Sequence, residues 1–385
     1  MKRQTLKLIL IALMVLGIWR AKTAAETGDV KSSKSELKLV YELTLPECIT
    51  AFSVKKGRDG KNEIDKVLTI AGIYEIDDKK QAHLIKKRTQ ELPVKTRCYP
   101  SSESFSPDGR YVVFDNNPSE YPVSFIIHDF EKRTSCPIDV ALFGAFSNRS
   151  IMFFARQVPS VITDFSGNII TELPEMMTIK GFENGFICDG MDSNFYFFNS
   201  AGQILAKKPL CAAGVAYDID RKTGSTVLVN PPKSSLLVTD FEGNIKHEFI
   251  LSDPGYTAGI GISYGGDYAI VVSGNGWIRF FDLQNKKELW KKDFIWGSRF
   301  ISSSSPVPIS ENGEYIIIYG DLKITENPTW SMIILNKEGD CVGQIKPPVP
   351  RNLIPYYYIN FILGTNKIVG FTDNTLSVYE IVERD

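Results

Sequence analysis

The sequence predicts an all-β protein: a single β-propeller built from four-stranded antiparallel blades. Three observations point to this fold. One stretch has the polarity pattern of a whole blade, its turns recur along the chain, and the last predicted blade lacks an outer strand that the N-terminal region can supply. Eight blades fit the repeats better than seven, although the N-terminal region can also be read as one irregular blade.

The clearest predicted blade covers residues 256–293. An apolar run from Tyr268 to Val272 is followed by an alternating segment from Trp277 to Phe281, and the last segment, from Lys287 to Lys292, is mostly charged. Polarity therefore rises from the second strand to the fourth. This is expected when the inner strands are buried on both faces and the outer strand meets water.

Two series of turns repeat along the chain. In the first, Asp or Asn is followed three residues later by Gly, at 164–167, 199–202, 240–243 and 336–339; Asp129 and Asp282 begin the same turn without the glycine. Successive anchors at 129, 164, 199, 240, 282 and 336 are 35, 35, 41, 42 and 54 residues apart, which fits blades of about 40–45 residues. In the second series, exemplified by Ser106-Pro107-Asp108-Gly109, a turn precedes each apolar strand.

The predicted blades cover residues 49–92, 98–140, 141–175, 177–210, 212–252, 256–298, 300–348 and 355–381. The last has only three strands. We expect the segment from Leu37 to Leu45 to join it as the fourth and to close the ring, because closure removes sheet edges that would otherwise pair with other chains. An insertion from Asp321 to Thr329 in blade seven is either a binding loop or a solvated hairpin extension.

The N-terminal residues have the layout of a secretory signal. Basic residues precede the apolar run Leu8 to Trp19, and small residues follow at Ala24 and Ala25. The apolar run has 12 residues, fewer than the roughly 18 that span a bilayer, so a cleaved signal is favoured over an uncleaved anchor. The predicted organisation is a signal peptide at 1–25, a polar spacer at 26–36 and the propeller at 37–385, in a secreted or periplasmic protein without stable membrane insertion.

Charge and cysteine content limit the functions to be considered. Removal of residues 1–25 leaves 39 of the 44 Lys and Arg residues against 45 Asp and Glu, a net charge of −6. A mildly acidic chain without a basic stripe is not expected to bind nucleic acid. The six cysteines allow 15 disulfide pairings, and buried free thiols are an equally reasonable interpretation; they lie at 48, 98, 136, 188, 211 and 341.

Two segments resemble known propeller families. The segment FSPDGRYVVF, which contains Ser106-Pro107-Asp108-Gly109, resembles a turn of secreted WD-repeat-like propellers. The segment from Phe281 to Trp290 is similar to the repeat of quinoprotein-like (PQQ-repeat-like) propellers, in which a turn ends in a tryptophan that docks against the next blade. The tryptophan occurs here once instead of in every blade. The resemblance implies a propeller fold over residues 37–381 and no particular chemistry.

No residues converge on a recognisable catalytic or metal site. The three histidines, His83, His128 and His247, lack the spacing of metal-ligand pairs, and the GxSxG nucleophile motif is absent. The segment from Asp218 to Gly224 has alternating aspartates like a calcium loop but lacks the later glutamate, so a solvated turn is preferred. We therefore predict no catalytic residues, no metal and no cofactor.

The favoured hypothesis is an exported, monomeric, non-catalytic propeller that binds a protein, peptide or glycan through one face. The alternative is an enzyme or redox protein that uses the central funnel, such as a quinoprotein-like dehydrogenase or a lyase. The candidate ligand-binding residues are charged and polar loop residues that would serve the funnel of the alternative, and a tryptophan with an arginine near one blade entrance, since aromatic and guanidinium groups are enriched at interaction surfaces. They are Arg156, Asp189, Asn275, Trp296 and Arg299.

Overall fold

The computed structural model describes residues 35–57, 59–87, 104–115, 124–139, 142–154, 159–209, 216–230, 233–251, 257–273, 277–293, 307–321, 330–345, 358–372 and 374–383. Thirty strands within these residues form eight antiparallel sheets, the blades of one propeller ring. The predicted all-β class and the count of eight blades are confirmed. The described residues contain no helix with the length and apolar character needed to cross a bilayer.

The chain enters through a strand that belongs to the last blade. Blade eight receives β1 (Ser35–Thr44), and blades one to four contain β2 (Ile49–Lys56), β3 (Asn62–Thr69), β4 (Gly72–Ile76), β5 (Ala82–Lys87), β6 (Tyr111–Asp115), β7 (Ser124–Asp129), β8 (Thr134–Asp139), β9 (Leu142–Phe146), β10 (Ile151–Phe154), β11 (Ser160–Thr163), β12 (Ile169–Leu173), β13 (Met176–Phe182), β14 (Gly185–Gly190), β15 (Phe195–Asn199) and β16 (Ile204–Lys208). Blades five to eight contain β17 (Tyr217–Ile219), β18 (Thr226–Asn230), β19 (Ser235–Thr239), β20 (Ile245–Ile250), β21 (Thr257–Ile262), β22 (Tyr268–Ser273), β23 (Trp277–Asp282), β24 (Lys287–Asp293), β25 (Tyr315–Asp321), β26 (Trp330–Asn336), β27 (Cys341–Ile345), β28 (Tyr358–Phe361), β29 (Lys367–Thr372) and β30 (Thr375–Glu383).

Each blade is an antiparallel meander whose first strand lies innermost. Blades two and seven have three named strands, and an isolated bridge marks the first strand of each, at Phe105–Val112 and Ile309–Ile316. The fourth strands, such as β5, β16 and β20, are largely exposed, whereas second strands such as β14 and β18 are buried along their whole length. The predicted rise in polarity toward the outer strand therefore holds. The insertion of blade seven follows β25, and residues 322–329 lie outside the described residues.

Apolar clusters between neighbouring blades make up the core. In β22, Ala269 and Val271 belong to a cluster shared with blade five, whereas Ile270 and Val272 belong to one shared with blade seven. Successive side chains of a strand point to opposite faces, so every central strand must be apolar at both parities. Eight such clusters join each blade to the next, including one between blades eight and one.

Arg279 of β23 departs from the expected pattern. A charged side chain on a central strand would ordinarily reach water, yet Arg279 is 3% exposed. Its guanidinium lies 5.1 Å from the Trp277 ring centroid, and Nη1 donates to the Ile250 carbonyl of blade five at 3.4 Å. The long side chain can be buried because the cation–π contact with the indole ring of Trp277 stabilises the guanidinium where water is excluded.

The repeated turns have the predicted hydrogen bonds. Oδ1 of Asp164 accepts from the backbone N–H groups of Ser166 and Asn168 at 2.8 and 2.9 Å, and Asp240 does the same for Glu242 and Asn244. The glycine three residues after the anchor has a positive φ in these turns, for example 82° at Gly167. An Asp or Asn anchor and a left-handed glycine together fix the hairpin register.

Trp290 docks against the next blade, as the quinoprotein-like resemblance implied. Its Nε1 donates to the Lys337 carbonyl of blade seven at 2.7 Å, and its ring lies 5.5 Å from that of Phe280. At the corresponding junction between blades two and three, Cys136 takes this place, and its Sγ donates to the Ser166 carbonyl at 3.0 Å. The contact therefore occurs at two described junctions of the ring, made by a tryptophan at one and by a cysteine at the other.

The first strand of the chain completes the last blade. β1 pairs with β30 from Ser35–Glu383 to Thr44–Thr375. Beyond the paired strands, the Leu45 N–H donates to the Asn374 carbonyl, and the Asn374 side-chain amide donates to the Leu45 carbonyl, both at 2.8 Å. Tyr41 of β1 packs into the apolar cluster shared by blades eight and one. Burial, and secondarily Glu63, raise the pKa of its hydroxyl far above the ordinary value.

We expect Tyr41→Ala to destabilise the protein by about 2 kcal/mol or more, because it removes an aromatic side chain from the cluster between blades eight and one. Urea denaturation followed by circular dichroism measures the effect. Leu39→Ala is the matched control: Leu39 lies on the same strand but is 50% exposed, so its loss should cost less than about 0.5 kcal/mol. Equal effects of the two substitutions would contradict the assigned packing of β1.

Candidate functional site

The meander topology gives the ring two faces with different connections. The turn face carries the connections from first to second and from third to fourth strands, such as 147–150 and 164–168; these have two to six residues. The loop face carries the connections from second to third strands and between blades. Three of the latter are much longer, with 17 residues at 88–104, 15 at 294–308 and 12 at 346–357.

The predicted ligand-binding residues all fall toward the loop face by strand order. Arg156 and Asn275 lie in connections from second to third strands, and Trp296 and Arg299 lie in the connection between blades six and seven; these four are outside the described residues. Asp189 is described and lies near the loop-face end of β14. The strand order therefore groups the five residues on one face, and their role in binding stays a prediction.

Asp189 is an interior residue of blade four, 1% exposed. It pairs in register with Thr178 of β13 and Phe195 of β15. Its neighbour Cys188 is fully enclosed, and burial, followed by the charge of Asp189, raises the pKa of the thiol well above its usual range. Asp189 lies on the same face of β14 as Ile187, which packs between blades four and five, so its carboxylate is enclosed and not directly accessible from bulk solvent.

The innermost strands of blades four, five and six are joined by one carboxylate. Oδ1 of Asp218 accepts from Lys180 Nζ at 2.7 Å, and Oδ2 accepts from the backbone N–H of Ile262 at 3.2 Å. The two charged side chains are 17% and 13% exposed. The sequence did not single out Lys180, because nothing in its local pattern shows that the next blade places an aspartate opposite it.

A second polar connection links blades five and six on the turn face. Asp220 accepts from the backbone N–H groups of Lys222, Thr223 and Gly265, the last at 2.8 Å. The predicted solvated turn was wrong in one respect: Asp218 and Asp220 are buried, 9% and 1% exposed. Asp218 accepts hydrogen bonds between innermost strands, and Asp220 accepts them within and between turns, so both aspartates of the segment have a structural role.

Tyr264 extends this connection toward blade four. Its hydroxyl donates to Glu183 Oε1 at 3.0 Å. Burial raises the pKa of Tyr264 to about 12, with the hydrogen bond to Glu183 as the next cause. The tyrosine therefore stays protonated at physiological pH and acts as a hydrogen-bond donor within this polar connection.

The histidines lie in blades one, two and five. His128 is buried, and Nδ1 hydrogen-bonds with Ser135 Oγ at 2.9 Å across β7 and β8. Burial and the nearby Lys86 lower its pKa. His83 Nε2 lies 2.9 Å from Asp77 Oδ2, and His247 pairs with Val238 of β19. In the part of the chain that the structure describes, no group of three His, Cys, Asp or Glu residues is arranged to hold a metal ion.

The cysteines occur in both redox states. Cys48, directly before the innermost strand of blade one, is disulfide-bonded. Cys136, Cys188 and Cys341 are free. Cys98 and Cys211 lie outside the described residues. Both interpretations of the sequence, a disulfide and buried thiols on strands, therefore apply to different members of the set.

The comparisons with solved structures show propellers. The chain is similar to the C-terminal WD40 domain of Sif2 (TM-score 0.57, 12% identity, 90% of this chain and 99% of that one) and to BamB from Moraxella catarrhalis (TM-score 0.55, 11% identity, 89% and 99%). It is also similar to the computationally designed protein Ika8 (TM-score 0.59, 12% identity, 89% and 99%). At these identities the likeness shows the fold alone.

No protein-family model matches the sequence, and no curated protein matches it either. The propeller fold that the resemblance to WD-repeat-like and quinoprotein-like proteins implied is confirmed by the neighbours and by the eight blades.

We expect Lys180→Met to destabilise the protein by about 2 kcal/mol. The substitution leaves the largely buried Asp218 carboxylate, 13% exposed, without its counter-ion, and the remaining contact with solvent keeps the cost below the roughly 3–5 kcal/mol of a fully buried pair. Lys246→Met is the matched control, because Lys246 pairs with Asp240 at 3.2 Å but is 58% exposed; its cost should stay below about 0.5 kcal/mol. Urea denaturation measures the loss of unfolding free energy in both variants. Equal losses would contradict a stabilising role for the Lys180–Asp218 pair.

Proposed function

We propose that this protein is an exported, non-catalytic propeller that binds a protein, peptide or glycan partner through its loop face. One observation carries the proposal: the long connections, of 12 to 17 residues, all belong to that face, whereas turn-face connections do not exceed six. Long connections on a rigid scaffold are where binding residues concentrate.

The turn face is used differently. Its connections are filled by their own hydrogen bonds, as at Asp164 and Asp240, and neighbouring turns are tied to each other, as at Asp220 and Gly265. Backbone groups that are already paired contribute little to recognition, since binding must then be supplied by side chains alone. The loop face has the greater freedom to vary in length and composition.

The residues available on the loop face suit an interaction surface. Trp296 and Arg299 are three positions apart in one long connection, and tryptophan and arginine are the residue types most enriched at the energetic centres of interfaces. On the innermost strands, Lys180 and Asp218 pair with each other, and Lys55 pairs with Asp65 of the second strand of its blade. This arrangement favours a scaffold over a catalytic funnel.

Export is part of the proposal. The N-terminal layout, with basic residues before the apolar run Leu8 to Trp19 and small residues at Ala24 and Ala25, supports a cleaved signal. The disulfide at Cys48 is consistent with an oxidising compartment, where such bonds persist. Mass spectrometry of the exported protein should find Glu26 as the first residue.

The test is affinity capture of partners from the exported fraction of the source cells with the mature chain as bait. We expect one or more partners to be retained, and the double substitution Trp296→Ala with Arg299→Ala to reduce retention about tenfold or more, as loss of interface anchors does. Quantitative mass spectrometry of the bound fraction gives the measurement.

The matched control is Phe241→Ala with Lys246→Ala, which removes an exposed aromatic residue and an exposed cation near the turn face. This variant should retain partners as the unmodified chain does. If the loop-face variant still captures partners and the control variant does not, the binding surface lies on the turn face and the proposal of a loop-face site is wrong. A protein that captures nothing and turns over a small substrate would overturn the proposal as a whole.

A further inference from the structure

A small cavity opens on the turn face between blades two and three. Its volume is about 260 Å³. Two first-to-second-strand turns and one third-to-fourth-strand turn form its walls, through Ser106, Pro107, Asp108, Ser147, Asn148 and Phe165. The cavity volume is below the roughly 300–1,000 Å³ typical of pockets for drug-sized ligands. The space suits a single side chain.

The next three junctions around the ring are closed at the same level. Asn148 N–H donates to the Glu183 carbonyl at 2.9 Å, Glu183 N–H donates to the Arg221 carbonyl at 2.8 Å, and Gly265 N–H donates to Asp220 Oδ1. Within the described residues, no backbone hydrogen bond joins the turn 106–110 to the turn 147–150. The cavity therefore distinguishes this junction from its three successors.

The carboxylate of Asp108 is held in a fixed orientation at the cavity wall. Its Oδ1 accepts from Ser106 Oγ at 2.6 Å and from the backbone N–H of Arg110 at 3.0 Å. The Arg110 guanidinium is directed elsewhere, to Asp129 at 2.9 Å and to Glu131. Asp108 is exposed, and Oδ2 remains available to a ligand that carries a positive charge.

The opposite side of the cavity offers a half-buried aromatic ring and an exposed amide, Phe165 and Asn148. One face of the Phe165 ring is covered by Tyr111, with centroids 4.1 Å apart, and Phe146 lies 6.2 Å away at a tilt. These contacts fix the ring, and its remaining exposed part lines the cavity. A planar cation fits this combination, because it can stack on a ring while its N–H groups donate to a carboxylate and to an amide oxygen. Guanidinium has this shape, whereas ammonium has the charge without the plane.

We propose that this cavity binds the arginine side chain of a partner peptide, at a site separate from the loop face. The occupant follows from charge complementarity with Asp108, from the stacking surface of Phe165 and from a volume that accommodates one side chain. The guanidinium donates to Asp108 Oδ2 and lies against the Phe165 ring.

The probe is N-acetyl-arginine amide, with binding followed by ligand-observed saturation-transfer NMR on the mature chain. N-acetyl-citrulline amide is the neutral isostere, and N-acetyl-lysine amide has the charge without the planar group. We expect the arginine probe to bind. Each of the other two probes should bind at least about tenfold more weakly, because one lacks the charge-assisted hydrogen bond and the other lacks the planar group that stacks.

Asp108→Asn keeps the oxygen that accepts from Ser106 and Arg110 while removing the charge, so the turn should be preserved. We expect it to weaken the arginine probe about tenfold or more. Asp59→Asn is the matched control, because Asp59 is exposed in the equivalent turn of blade one and likewise accepts from a backbone N–H two residues later; it should bind normally. Equal binding of arginine and citrulline, unchanged affinity in Asp108→Asn, or no saturation transfer at tens of millimolar would each overturn the proposal.

Discussion

The burial of both faces of each central strand is the constraint on which the ring depends. In β22, residues of one parity pack toward blade five and those of the other parity toward blade seven. A blade with two apolar faces cannot be stable alone or at an open end, because one face would remain in water. The cluster between blades eight and one therefore matters as much as the seven others, and β1 contributes to it from the start of the chain.

The same constraint separates structural from functional surfaces. Near the centre of the ring, space is limited, and the described polar groups bind each other, as Lys180, Asp218 and the Ile262 N–H do. At the turn face, short connections hold the strands in register. The described turn-face connections take part in these contacts, whereas the connections that vary most in length belong to the loop face. Binding residues on the loop face would therefore leave the packing of the core unchanged.

The sequence was sufficient for features with local causes. The Asp164 and Asp240 turns follow from residues within each turn, and the blade count follows from the recurrence of such turns along the chain. The docking of Trp290 was implied by the resemblance to quinoprotein-like repeats. The sequence was insufficient where the cause lies in another blade. The burial of Arg279 depends on a carbonyl of blade five, and the role of Asp218 depends on a lysine and an amide that are distant in sequence. The cavity beside Asp108 likewise arises from a gap between two blades, which no single repeat encodes.

Hydrogen–deuterium exchange of the native chain, resolved to peptides by mass spectrometry, tests the central claim of a ring closed by its first strand. If β1 is an integral strand of blade eight, its paired amides should be as strongly protected as those of β16 and β20, the fourth strands of blades four and five, and should lose protection with β30 in one cooperative step. Rapid exchange throughout β1, with β30 and the other blades still protected, would contradict closure by this strand.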